Sequence, residues 1–151
     1  MNSYSPSSTL KSRFTRRFLR ALMKINSGQQ TASPRDVHRR YRRVRIAADK
    51  SLALAVGSRR SWSRALLCKI RTQKRRHRRR CASTRRISST TSTQREKCLG
   101  LKGKSRELQK LVPGSEGMDL CSLLDETAHY IKCLATQVQA MRCIAHSCNS
   151  P

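Results

Sequence analysis

Two His–Cys pairs sit one helical turn apart, His77 with Cys81 and His129 with Cys133, and a third group, Cys143, His146 and Cys148, lies near the C-terminus. Imidazole and thiolate at such spacings are potential zinc ligands, but a structural site needs four that converge. No paired C-x-x-C knuckle accompanies them, so no metal and no other cofactor is expected. Asp125 and Glu126 offer two carboxylates, yet neighbours in sequence do not face each other on a helix. A glycine-rich phosphate loop is absent as well, and the chain is expected not to be an enzyme.

What remains to explain is charge and apolar patterning. The 151 residues carry a net charge of +26, with 36% hydrophobic and 4% aromatic side chains, so one large core is not expected. The charge is lopsided. Residues 1–95 hold 27 of the 34 Lys and Arg and only two acids, Asp36 and Asp49, a net +25 against +1 for the remainder. Such a surface attracts polyanions without reading sequence, so non-specific nucleic-acid contact is open. Its densest part is Lys74, Arg75, Arg76, His77, Arg78, Arg79 and Arg80, which reads as a nuclear-import tract. Seven cysteines without a secretory signal suggest a reduced, intracellular chain. No apolar run reaches the roughly 18 residues of a membrane span.

These features must sit on helices. Residues 1–32 form a basic segment in which Leu10, Phe14, Phe18, Leu22 and Ile25 recur at helical spacing, with Gly28 as its stop. The same Arg-rich, acid-poor segment also fits a mitochondrial presequence. Residues 33–81 make a basic helical region. Ser33 is its cap, Pro34 its first helical residue and Asp36 its acidic first turn. A narrow stripe of Val37, Tyr41, Val44, Ala48, Leu52 and Ala55 runs to a stop at Gly57, and a further helix starts near Ser61 with Trp62, Ala65, Leu66 and Ile70 on one side. Self-repulsion is expected to fray that helix through the basic tract. Residues 82–95, ASTRRISSTTSTQR, read as a flexible linker, and 146–151 as a tail.

Residues 96–145 are the most consistent stretch. Leu101, Leu108, Leu111 and Val112 edge a helix that halts at Pro113-Gly114, and Asp119 caps a second helix, flanked by Met118 and Leu123 as a hydrophobic staple. Along it Leu120, Leu124, Thr127, Ile131, Leu134, Val138, Met141 and Ala145 alternate in steps of four and three, a heptad seam with one polar flaw at Thr127. Such a seam needs a partner helix. Two copies of a two-helix unit make a dimeric four-helix bundle, and the alternative is that the stripe packs back on the N-terminal helices of its own chain.

The string ELQKLVPGSEGMDLCSLLDETAHYIKCLATQVQAM, from Glu107 to Met141, closely resembles the helix-loop-helix region of plant basic helix-loop-helix proteins. RRVRIAADKSLALAVGSRRSWSRALLCKIR, from Arg42 to Arg71, resembles the upstream block of their atypical subgroup. The resemblance implies an all-α fold and a nuclear transcriptional regulator, a repressor that pairs with other helix-loop-helix proteins. Its relatives include antagonists of growth-promoting factors in brassinosteroid-driven elongation. Members that read the CANNTG element carry a His, a Glu and an Arg where alignment places Thr90, Gln94 and Cys98 here. Glutamine lacks the charge with which glutamate accepts a hydrogen bond from cytosine's amino group. Gly100 and Gly103 interrupt the helix that would carry such residues into the groove, at about 1 kcal/mol each. Dimerisation without specific DNA binding follows, through Leu101, Leu108, Leu111, Val112, Leu120, Leu124, Ile131, Leu134, Val138 and Met141. The rival expectation, a basic RNA-binding organellar ribosomal component, accounts for the charge and leaves the seam unused.

Overall fold

A computed structural model describes residues 6–27, 33–82 and 101–149, and these form five helices: α1 (Pro6–Asn26), α2 (Pro34–Val56), α3 (Ser61–Ala82), α4 (Leu101–Leu111) and α5 (Leu120–Asn149). The fold is all-α, as the periodicity predicts. Gly28, residues 83–95 of the expected linker and the positions Thr90, Gln94 and Cys98 lie outside the described residues, while Ala82 belongs to α3. No described helix is long and apolar enough to cross a membrane.

Local signals set the boundaries. Ser33 is extended, its hydroxyl accepts from the Arg35 amide at 3.4 Å, and Pro34 follows at the first helical position. Gly57 ends α2, its amide donating to the Ala53 carbonyl at 3.0 Å. Asp119 caps α5: its carboxylate accepts from the Ser122 amide at 3.0 Å, and the Ser122 hydroxyl first and this amide second hold its carboxyl below the ordinary carboxylate range. The helix α3 differs from expectation, since it runs on through the basic tract to Ala82.

Helix α2 is central, in contact with α1, α3 and α5. One buried cluster takes Phe14 and Phe18 from α1, Leu52 from α2, Trp62, Leu66 and Ile70 from α3, Val112 from just after α4 and Cys133 and Ala140 from α5. Phe14 and Phe18, one turn apart, stack with ring centroids at 5.4 Å. The stripe on α2 is buried only in its second half: Ala48, Leu52 and Ala55 are inside, whereas Val37 and Tyr41 are exposed. The short α2 face from Ala48 to Ala55 is where small side chains let three neighbouring helices approach it.

Candidate functional site

A densely hydrogen-bonded joint lies between the start of α3 and the second and third turns of α5, some 65 residues apart in sequence. Glu126 is nearly buried, and its two carboxylate oxygens accept from the Ser61 and Trp62 amides, each at 3.3 Å. These are free donors at a helix N-terminus, where the macrodipole favours a negative charge. Arg60 adds ion pairs to Asp125 and, at 3.7 Å, to Glu126. Trp62 is fully buried; its indole packs on Tyr130 with centroids at 4.8 Å and donates to His129 Nδ1 at 3.2 Å.

Of the residues that invited a reading as acid–base or metal chemistry, Asp125, Glu126, His129 and Cys133 are parts of this joint, and the side chains of His77 and Cys81 lie outside the described set. Cys133 Sγ lies 3.6 Å from His129 Nδ1, buried, and burial pushes its thiol up to about 11. It is a neutral S–H at physiological pH, a poor nucleophile and a poor ligand. Burial, and then Arg60, hold His129 below the ordinary imidazole range. Cys143, His146 and Cys148 are exposed on the last turns of α5.

The loop after α4 is fastened to the same joint. Ser115 is fully buried and its hydroxyl donates to the Gln109 and Val112 carbonyls, both at 2.8 Å. Gly114 has φ +73°, and a Cβ there would stand 2.6 Å from Ala65 Cβ. The LVPG turn is therefore a packing surface for α3 as well as a helix stop.

Against this frame the seam on α5 divides lengthwise. Its two component series each advance seven residues at a time. Thr127, Leu134 and Met141 turn toward the N-terminal helices: Thr127 is buried, with its hydroxyl donating to the Leu123 carbonyl at 2.6 Å, and Leu134 and Met141 pack against the core. Leu124, Ile131 and Val138 face outward, 52%, 59% and 49% exposed. Leu120 begins the first series yet is exposed, Ala145 ends the second and is exposed, and Leu111 at the end of α4 is 74% exposed. Leu108 is half-buried and Val112 is in the core. Leu101 opens α4, and its side chain lies outside the described residues. Of the basic tract, Lys74 and Arg75 are exposed, while Arg76, Arg78, Arg79 and Arg80 continue α3 with side chains outside the described set.

The joint binds Arg42–Arg71 to Glu107–Met141, so the two sequence blocks form one unit. Comparison with known proteins finds relatives that span most of the chain. The IBH1-like N-terminal domain matches residues 7–74. Transcription factor IBH1 of Oryza sativa subsp. japonica is 34% identical over 152 residues, 83% of this chain and 72% of its own. The chain belongs to the IBH1-like family of atypical basic helix-loop-helix proteins. Two Arabidopsis thaliana members, transcription factors bHLH149 and bHLH147, are each 31% identical to this IBH1-like chain, over 85% and 91% of it and 66% and 67% of their own lengths. No solved structure matches it. The sequence does not mark Arg60, Trp62 and Glu126 as one site, since they are brought together only by the fold. An isolated Trp beside arginines and a carboxylate on an apolar helix were the available signals.

Proposed function

We propose that this protein is a transcriptional regulator that represses by capturing other helix-loop-helix proteins in the nucleus, without reading DNA specifically itself. The observation that carries the reading is the outward series Leu124, Ile131 and Val138. It is an apolar strip along a long, internally braced helix, with Leu111 and Leu120 also exposed nearby in sequence. Water-exposed β-branched and Leu side chains at heptad spacing are the complement of another heptad helix. The names of the relatives, transcription factors all, support the regulatory role.

In this reading the inward series stays with α1–α3 and the partner meets the outward one. The heterodimer then has a single competent DNA-reading arm, because Thr90, Gln94 and Cys98 replace the reading residues. Losing half the base contacts and many phosphate contacts frees the partner from its site. Partners of this chemistry include growth-promoting factors, and antagonism of brassinosteroid-driven elongation is the corresponding physiological role. The Lys74–Arg80 tract would supply nuclear import. The RNA-binding alternative leaves the outward strip without a use.

A DNA-binding helix-loop-helix relative on a labelled CANNTG duplex tests the mechanism. Adding this chain is expected to lower duplex occupancy in step with heterodimer formation. Undiminished occupancy alongside confirmed heterodimer overturns it.

A further inference from the structure

Away from the α5 strip, α1 and α2, with Lys74 of α3 beside them, line an open cleft of about 490 Å³ that is rich in cations. Arg17, Arg20 and Lys24 come from α1, Arg43 and Lys50 from α2 and Lys74 from α3. The α1 residues follow a three- and four-residue spacing and the α2 pair a seven-residue one, so each helix turns one cationic face to the same space. The floor is apolar, with Ile25, Ile46 and Leu54. Among the described residues no carboxylate lines it and none of the six cations is in an ion pair.

We infer that this cleft is a binding site for a compact organic polyphosphate of the inositol-polyphosphate class. Six like charges gathered around one cavity repel, and a multiply phosphorylated ligand converts that repulsion into charge-assisted hydrogen bonds to guanidinium and ammonium donors. The volume lies in the range of small-molecule sites. A cleft between two helices that gathers six cations, one of them from a third helix, fits a compact anion better than a duplex, whose phosphates run along convex rails. The site is independent of the helix-loop-helix strip, which lies on another helix.

The test uses the full chain at physiological salt with inositol hexakisphosphate as the probe, titrated by calorimetry, with melting temperature recorded in parallel. One variant carries Arg17→Gln, Arg43→Gln and Lys74→Gln, and a charge-matched control carries Arg13→Gln, Arg39→Gln and Arg71→Gln. The expected result is one-to-one binding that raises the melting temperature, weakened about tenfold or more in the cleft variant and within about twofold of wild type in the control. Inorganic phosphate at the same total phosphate concentration is expected not to compete. Random-sequence duplex DNA is expected to respond equally to both variants, since it reads net charge. Equal loss of the hexakisphosphate in both variants, or competition by inorganic phosphate, overturns the proposal. So does a cleft-specific loss for duplex alone, which assigns the cleft to nucleic acid.

Discussion

The Trp62 indole donates to Nδ1 of His129 at 3.2 Å across the α3–α5 joint, so the imidazole must keep that nitrogen unprotonated. Burial first, and Arg60 second, already disfavour the imidazolium there. In the unfolded chain the same imidazole takes up a proton near pH 6.5, as an ordinary histidine does at about that value. Between the folded and unfolded values the unfolded state therefore holds more protons, and stability falls as pH falls. His129's contribution is complete above about pH 6.5 and is lost progressively below it, down through the depressed folded value. Denaturation followed by the fluorescence of Trp62, the single tryptophan, is expected to show this loss, and His129→Gln is expected to flatten it.

The two adjacent carboxylates of α5 differ sharply in burial, and their removal is expected to differ in cost. The Glu126 side chain is 11% exposed and caps two amides; that of Asp125 is 69% exposed and pairs only at the surface. Glu126→Ala leaves the Ser61 and Trp62 amides without their acceptor and is expected to cost about 1–3 kcal/mol. Asp125→Ala should cost less than about 1 kcal/mol. Urea midpoints of the two variants at neutral pH provide the comparison.

Substituting the two glycines of the α4–α5 loop separates backbone strain from packing. Both have positive φ, +73° at Gly114 and +77° at Gly117, but only at Gly114 would a Cβ meet a neighbour, Ala65 Cβ at 2.6 Å. Gly117→Ala is expected to cost about 1–2 kcal/mol from the left-handed conformation alone. Gly114→Ala adds the displacement of α3, a further 1–3 kcal/mol or about that. Equal melting temperatures for the two variants would show that the LVPG turn does not support α3.

Short-range features of this fold are legible in its sequence because their causes are local. Ser33-Pro34, Gly57, Pro113-Gly114 and Asp119 each act on amides or carbonyls within a few residues, and the helices begin and end accordingly. The α3–α5 joint was not legible, since nothing near Glu126 indicates that its carboxylate serves amides 65 positions upstream. Thr127 looked like a flaw in the seam, yet it lies on the inward series with its hydroxyl satisfied by its own helix. Periodicity finds an apolar stripe but not its division between an internal and an external neighbour. For the same reason Val37 and Tyr41 share the α2 spacing of Leu52 and are left outside.

The central claim is that the outward series of α5 holds a partner while the inward series holds the chain's own fold. It is tested most directly by the affinity of the full chain for a DNA-binding helix-loop-helix partner, measured for wild type and for Ile131→Glu with Val138→Glu. The double variant should keep its unfolding free energy to within about 1 kcal/mol, as exposed substitutions do. Leu123→Ala, in the buried face, should lose about 2–5 kcal/mol. The account predicts that the double variant, folded and stable, no longer binds the partner. Partner affinity equal to wild type in that variant would contradict it.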